Sequence, residues 1–343
     1  MSYAIYHSRG GIVAGTLALQ SISSVCVGLR FYTRFWRVQS ILASDWLVLA
    51  AFVCGTGLGV MEIYGVAVNA FAVPLNTTSH VSQGKSERLA TVTHMEYAFV
   101  LVGILAIGLI KLSVSLLYWH IFSKVKFRRF LTVWIVFLVL WTTGFIIAEL
   151  LECGVHPLKI FGSRQDVKDY CPAVHDIGYA LAGSDIATDL ITLLIPLPLV
   201  FAMRLPTTRK ILVTATFLIG VMAVGASTAK GYIYISAVLA LAKEDGIILI
   251  TAYSMWNLVE IHFGIIAACG MTLRPVLGRM FPAQRFIAWA RSSFRSRKPP
   301  RDAEKFEDLP SFVRTVSDSG GYSSISPVKQ PLEFQTSALP EVT

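Results

Sequence analysis

The feature of this sequence that most limits its fold is a set of seven apolar stretches. They run over Gly10–Leu29, Ile41–Ile63, Tyr97–Trp119, Phe130–Leu151, Ile177–Val200, Ile211–Leu241 and Ile247–Gly270. A helix needs about 20 mostly apolar residues to cross the hydrocarbon core of a bilayer. Lipid leaves only helices and closed barrels as spanning structures, and the stretches lack the alternation of barrel strands. They therefore predict an all-α, polytopic bundle of seven transmembrane helices.

Composition excludes the main alternatives. Of the 343 residues, 54% are hydrophobic and only 15% are charged. A soluble domain carries about 25% charged residues, and a disordered chain is polar and poor in aromatics. The net charge of +9 would suit a nucleic-acid partner only if it lay on one wetted face. Here it does not, so we expect the lipid bilayer as partner and no nucleic acid.

The basic residues predict an orientation. With the N-terminus outside, the inner segments hold 21 of the 30 Lys and Arg residues and the outer segments hold 7. Lys and Arg concentrate on cytoplasmic loops. The distribution therefore predicts an outer N-terminus and a cytosolic C-terminus, in a multi-pass protein of the plasma membrane or an endomembrane.

Two features of the predicted outer loops agree with this orientation. Asn76 begins an N-glycosylation tripeptide in the first outer loop, where glycosylation is possible. Cys153 and Cys171 bracket the second outer loop, which would face an oxidising space. We predict a disulfide between them, the alternative being two free thiols. No cysteine or histidine spacing is typical of zinc, and we expect no metal.

We divide the chain into three parts. Residues 1–282 form the predicted seven-helix domain. Residues 283–297 are either an amphipathic helix on the inner leaflet or a basic flank without stable structure. Residues 298–343, rich in Pro, Ser, Gly and acidic residues, predict a disordered cytosolic tail.

Ionisable residues inside the predicted spans are the candidate site. Intramembrane charge is costly and usually faces the bundle interior. Helical rise places Lys111, Asp189 and Glu260 at similar depth, with Asp185 and Lys230 nearer the outside. Trp256, Tyr232 and Tyr234 are candidate aromatic walls, whereas Glu62 and Glu149 lie near the outer ends, where they should reach water.

Two interpretations of these residues stay open. The first is a polar binding pocket, with Lys111, Asp189, Lys230, Trp256 and Glu260 as binding residues. The second is a set of buried ion pairs that fix helix register without touching a ligand. Asp45, which begins the second stretch, is expected at a helix N-terminus or beside Arg34 or Arg274.

Several short motifs resemble the fungal rhodopsin-like domain family of filamentous ascomycetes. They are Arg30-Phe-Tyr-Thr-Arg34 with Ser44-Asp45-Trp46, Ile110-Lys111-Leu-Ser-Val-Ser115, the Cys153 and Cys171 pair, Asp189 with Ile195-Pro196-Leu-Pro198, and Trp256-Asn257 with Glu260 and Leu273-Arg274-Pro275. The resemblance covers roughly Gly10 to Pro282. It implies seven helices and either a surface sensor or a component of a secondary-metabolite gene cluster.

The resemblance does not extend to a chromophore. Retinal requires a Schiff-base lysine in the seventh helix, and Ile247–Gly270 contains no lysine. We expect no retinal and no other cofactor.

Three functions remain. The first is a receptor-like or accessory protein that binds a small lipophilic ligand or pathway intermediate. The second is a membrane-embedded cyclase or isomerase that uses carboxylates of raised proton affinity as acids, with Asp185, Asp189 and Glu260 as catalytic candidates. The third is a transporter, for which we find no internal repeat.

Overall fold

A computed structural model describes residues 9–36, 40–68, 71, 82–121, 124–154, 171–197, 207–240 and 246–280. Across these residues the regular elements are seven α-helices and no strands. The helices are α1 Arg9–Trp36, α2 Ala43–Ala67, α3 Ser82–Ile121, α4 Val125–Leu150, α5 Val174–Leu194, α6 Thr207–Ala240 and α7 Gly246–Met280. All seven are long and apolar enough to cross a membrane. The predicted all-α, seven-helix, multi-pass membrane fold is confirmed.

Neighbouring helices in sequence pack side by side, and α7 closes the ring against α1. Two helices lie at the centre. The helix α3 contacts α2, α4, α5 and α7, and α7 contacts α1, α2, α3 and α6. Both bury more than half of their spanning residues, whereas each of the other five buries a third or less. Lys111 on α3 and Glu260 on α7 are therefore buried against protein.

The fifth helix ends earlier than the predicted stretch, and a proline explains the difference. The fifth apolar stretch runs to Val200 in sequence, but α5 ends at Leu194, just before Ile195 and Pro196. Pro196 has no backbone N–H and therefore cannot make the next hydrogen bond of the helix. The predicted stretch runs through Pro196-Leu-Pro198 to Val200, a few residues beyond the end of the helix.

The chain divides into two compact units, Met1–Trp289 and Ala290–Thr343. Every described residue belongs to the first unit. The predicted amphipathic segment 283–297, the tail 298–343 and the Asn76 sequon lie outside the described residues, so they stay predictions. The side of the membrane on which each end lies also stays a prediction.

The end of the bundle at which α4 ends and α5 begins carries the Cys153–Cys171 disulfide, as predicted. We call it the disulfide end. Glu62 and Glu149 both lie toward this end, but the expectation that they reach water is wrong. Glu62 is fully buried and Glu149 is 7% exposed, because neighbouring helices cover both.

Candidate functional site

The centre of the bundle holds five charged side chains from four helices. The helix α5 supplies two of them, Asp185 and Asp189, which lie one turn apart and so share a face. The helices α3, α6 and α7 supply Lys111, Lys230 and Glu260. We call these five residues the central cluster.

The cluster is one continuous chain of ion pairs. Asp185 stands in the middle, with its Oδ1 2.7 Å from the Nζ of Lys111 and its Oδ2 2.7 Å from the Nζ of Lys230. Lys111 also lies 3.0 Å from Oδ1 of Asp189. Lys230 lies 2.6 Å from Oε2 of Glu260. The order is therefore Asp189, Lys111, Asp185, Lys230 and Glu260.

Neutral groups complete the coordination of the two lysines. Lys111 donates to Oγ1 of Thr188 at 2.7 Å and to the carbonyl of Asp185 at 3.1 Å. Its ammonium group also lies 5.0 Å from the ring centre of Trp141, within range of a cation–π contact. Lys230 lies 3.4 Å from Oδ1 of Asn257. Protein atoms thus surround both ammonium groups in place of water.

The charges of the cluster do not balance. Three carboxylates face two ammonium groups, and all five residues are at least largely buried. Within the described residues, Oδ2 of Asp189 and Oε1 of Glu260 have no hydrogen-bond partner. An uncompensated charge in a dry interior is costly, so such a site takes up a proton or another positive charge. The third carboxylate, which the two lysines do not neutralise, is therefore the group that can take up a proton or a cation.

The three carboxylates converge closely enough to be considered for a metal. Oxygen atoms of Asp185, Asp189 and Glu260 all lie within 4.8 Å of one another. Two ammonium groups already share these oxygen atoms, however, so the arrangement favours a proton or a single positive charge over a divalent ion.

The structure groups the predicted residues differently from the depth argument. We expected Lys111, Asp189 and Glu260 at one level and Asp185 with Lys230 above them. Instead Lys111 contacts both aspartates, and Glu260 pairs with Lys230. Helical rise gives the height of a Cα atom only, and a lysine side chain can reach across a full turn.

The structure also places the candidate aromatic residues differently from the prediction. Tyr232 is 70% exposed and does not line the cluster, whereas Tyr234 packs against Tyr179 and Tyr253. Two residues along a helix differ by about 200° in direction, so these two tyrosines point to opposite sides. Trp256 is partly buried on α7, one turn from Glu260.

Sequence reasoning missed three partners of the cluster. Thr188 follows Asp185 by three residues, and Asn257 precedes Glu260 by three, so helical spacing from the charged residues would have found both. Trp141 lies on α4, where its indole N–H donates to Ser184 at 3.0 Å. No sequence pattern connects it to Lys111.

A second buried ion pair lies at the opposite end from the disulfide. Arg30, which follows the first predicted stretch, Gly10–Leu29, lies within α1 and is fully buried. Its guanidinium group contacts Asp45 at 2.7 Å and donates to the carbonyl of Ala268 at 2.8 Å. Asp45 also pairs with Arg34 at 3.2 Å and accepts from the N–H of Leu42 at 2.9 Å. The Arg34 and helix N-terminus alternatives both occur, while the side chain of Arg274 lies outside the described residues.

Comparison with known proteins agrees with this architecture. The chain is similar to the polyenoic acids biosynthesis gene cluster protein Ba17b of Metarhizium anisopliae, with 24% identity over 271 residues, which cover 76% of this chain and 71% of that protein. No solved structure matches the chain. The family model of the fungal rhodopsin domain matches residues 29–279, which include the end of α1 and nearly all of α2 to α7. The chain belongs to the fungal rhodopsin domain family, and it is an integral, multi-pass membrane protein.

Proposed function

We propose that this protein binds a small lipophilic molecule of fungal secondary metabolism at the central cluster, as a receptor-like or accessory component. The observation that carries the proposal is the surplus carboxylate among Asp185, Asp189 and Glu260. A cluster built only to hold helices in register gains nothing from a third carboxylate that two lysines do not neutralise. A ligand or proton that enters there supplies the missing charge or donor.

The charge of the cluster limits the ligand. Its surplus is negative, so the group that a ligand presents to it is a hydrogen-bond donor or carries positive charge. A ligand carboxylate would be repelled by Asp189 and Glu260. The name of the relative, a polyenoic acids biosynthesis gene cluster protein, supports a metabolic setting. Within that setting the charge of the cluster favours a neutral or cationic partner.

A second candidate function is a membrane-embedded cyclase or isomerase. The observation that favours it is the pair of oxygen atoms, Oδ2 of Asp189 and Oε1 of Glu260, which have no hydrogen-bond partner in the described structure. A carboxylic acid held there in dry surroundings is a proton donor toward an alkene, epoxide or carbonyl. The remaining carboxylates and the ring of Trp141 would then stabilise positive charge that develops on the substrate.

Gene deletion and complementation in the source fungus test both candidates. The deletion strain receives the wild-type gene, Glu260→Gln, or the control Tyr232→Phe, which changes a lipid-facing side chain. The readouts are the profile of secondary metabolites and the transcripts of the neighbouring genes. Each protein must reach the membrane at wild-type level.

The outcomes separate the two functions. Accumulation of one unconverted intermediate with Glu260→Gln, and its conversion by wild-type microsomes, would establish the enzyme. A change in transcripts or in total yield without a precursor would support the receptor or accessory role. Full complementation by both Glu260→Gln and an Asp185→Asn, Asp189→Asn variant would remove the central cluster from either function.

We further propose that the protein works without retinal. Both lysines of the described bundle core, Lys111 and Lys230, are committed to ion pairs, and a Schiff base would remove those charges. Reconstitution with all-trans-retinal should give no visible band that hydroxylamine bleaches. A bleachable band that disappears in Lys230→Met or Lys111→Met would contradict this.

A further inference from the structure

Beside the central cluster lie three oxygen atoms that its ion pairs leave unused. They are Oδ2 of Asp189 on α5, Oε1 of Glu260 on α7 and the hydroxyl oxygen of Ser227 on α6. Within the described residues, none of the three has a hydrogen-bond partner. Ser227 is 1% exposed and Glu260 is 3% exposed, so water does not take the place of the missing partners. We call these three residues the oxygen pocket.

The hydroxyl group of Ser227 does not make the hydrogen bond that its own helix offers. A serine or threonine in a helix can donate to the backbone carbonyl three or four residues earlier. Thr188 and Thr192 on α5 do so at 2.9 and 2.7 Å, and Thr228, the next residue on α6, does so at 2.9 Å. A buried hydroxyl group without a partner costs free energy. Ser227 therefore needs a partner other than the described protein atoms.

Two glycines of α6 show which part of α5 Ser227 faces. A Cβ atom on Gly231 would contact Ile186, and a Cβ atom on Gly220 would contact Leu193. The contacts run in opposite directions along the two chains, so α5 and α6 are antiparallel here. Ser227 lies between the two glycines and is therefore level with the part of α5 between Ile186 and Leu193.

That part of α5 contains Asp189, and the direction of Ser227 agrees with its level. Successive residues of a helix differ by about 100°, so Ser227 points about 40° from Gly231, which faces α5, and about 60° from Lys230, which reaches into the cluster. The hydroxyl group thus lies between these two directions. It faces the side of the cluster that Asp189 occupies.

The charge of the surroundings defines the occupant further. Oxygen atoms of Asp185, Asp189 and Glu260 lie within 4.8 Å of one another, and Lys111 and Lys230 neutralise two of the three carboxylates. One negative charge is left over. Carboxylate and hydroxyl oxygen atoms are the ligands of hard metal cations. A single positive charge makes the cluster neutral, whereas a divalent ion would leave a positive surplus in a dry interior beside two ammonium groups.

The packing of α5 against α6 favours a small ion in the pocket. Side chains of α5 lie where Gly220 and Gly231 would carry a Cβ atom, so the two helices approach closely on both sides of the pocket along their axes. An atomic ion needs only the space between its oxygen ligands. A larger organic group would reach the carboxylates from the side of Asp189, whose side chain is 14% exposed, and not from between α5 and α6.

We propose that the oxygen pocket binds one small monovalent metal cation, such as sodium, which neutralises the central cluster while no organic ligand is bound. Asp189, Ser227 and Glu260 each contribute the oxygen atom that the ion pairs leave unused. The proposal rests on the proposed function in one respect, since it names the resting occupant of the site that the lipophilic ligand would use. A ligand that presents a positive group to the same carboxylates would displace the ion.

Thermal unfolding of the full-length protein in nanodiscs tests the proposal, because an ion that binds only the folded state raises the unfolding midpoint. NaCl replaces N-methylglucamine chloride stepwise at constant ionic strength and constant pH, with no organic ligand present. We expect a saturable rise of several degrees, and radioactive sodium should bind with a stoichiometry of one ion per protein. A parallel titration with CaCl₂ should give no saturable rise.

Variants locate the ion. Ser227→Ala removes one oxygen ligand without changing the charge and should raise the Kd for sodium roughly tenfold or more. Glu260→Gln removes the surplus charge and should abolish the saturable rise. The matched control Thr228→Ala removes the neighbouring hydroxyl group, which is exposed and bonded to its own helix, and should leave the Kd within about twofold.

The wild-type protein keeps the test decisive if a variant does not fold. The absence of a saturable sodium effect, or an equal effect of Ca²⁺, would overturn the proposal. An unfolding midpoint that responds to pH but not to sodium would assign the place to a proton and would overturn it as well. Among the variants, an equal loss in Ser227→Ala and Thr228→Ala would have the same consequence.

This test and the complementation test fail separately. Sodium binding is measured without an organic ligand, so its absence removes the ion and leaves the lipophilic ligand standing. Full complementation of the deletion strain by the cluster variants removes the cluster from the proposed function, and a saturable sodium effect on the wild-type protein would still establish the ion site.

Discussion

Asp185 uses its two carboxylate oxygen atoms to hold two different lysines, Lys111 of α3 and Lys230 of α6, each at 2.7 Å. The carboxylate thereby joins three helices near the middle of the bundle. Asp189, one turn away, forms an ion pair with Lys111 and with no second lysine among the described residues. The two aspartates share a helix face, but Asp185 connects α5 to two other helices, whereas Asp189 connects it to one.

Replacement of Asp185 should therefore cost more than replacement of Asp189. Asp185→Asn breaks two buried ion pairs at once, although Lys111 keeps Asp189 and Lys230 keeps Glu260. Loss of one partner from a buried pair costs about 3–5 kcal/mol. Asp189→Asn removes the surplus charge and leaves the pairs at Asp185 and Glu260 intact, so we expect a smaller effect. Thermal unfolding in nanodiscs, followed by tryptophan fluorescence, measures both. Equal losses in the two variants would contradict the central position of Asp185.

Because the cluster has one more carboxylate than ammonium groups, we expect replacement of Lys230 to destabilise the fold much more than replacement of Glu260. Lys230→Met leaves three carboxylates with one ammonium group and should destabilise the fold by about 3–5 kcal/mol. Glu260→Gln leaves two of each sign and should change stability by less than about 1 kcal/mol. The double variant should recover part of the loss, which a double-mutant cycle quantifies. Strictly additive effects would show that the pair does not interact.

Glu152 predicts a stability that falls as pH rises. Burial just after the end of α4, reinforced by Glu149 and Glu96, raises its pKa from 4.5 to about 8, so between these values the folded state keeps a proton that the unfolded state has lost. The contribution is therefore full below pH 4.5, declines through this window and is gone above about pH 8. Unfolding midpoints at pH 5 and 9 measure the slope. Glu152→Gln should flatten it, and an unchanged slope would place the titrating group elsewhere.

Arg30 should not tolerate lysine. Its guanidinium group reaches Asp45, the carbonyl of Ala268 and, at 3.3 Å, the hydroxyl of Ser44, and a single ammonium group cannot match that fork. We expect Arg30→Lys to lower stability by about 1.5–3 kcal/mol, as for a lost hydrogen bond to a charged group. Arg34→Lys, which alters the longer contact to Asp45, should cost less. The same unfolding assay compares them.

The predicted orientation places Asn76 outside and the C-terminus in the cytosol. After fungal microsomes are solubilised in detergent, an endoglycosidase should shift the mobility of the wild-type protein but not of Asn76→Gln. A tag at the C-terminus should be removed by protease added to the intact vesicles. Protection of the tag would show that the basic residues do not set this topology.

The sequence by itself determined the number of membrane-spanning helices, because each apolar stretch satisfies the length that a bilayer demands without help from the others. It also placed Asp185 and Asp189 on one helix face and predicted the disulfide, since the period of a helix and the position of a loop are local properties. Pro196 marks the end of the fifth helix in the sequence, to within a few residues of the observed end at Leu194.

Only the tertiary structure decided which charges meet. The rise of a helix gives depth, but the partner of Glu260 depends on how α6 and α7 are rotated about their axes and on how far a lysine extends. The same rotation turns Tyr234 inward and Tyr232 outward, brings Trp141 beside Lys111 and buries Arg30. Apolar residues surround these positions in sequence, so hydrophobicity does not indicate which face of the helix is buried. The rotation of each helix is determined by its packing against the other helices.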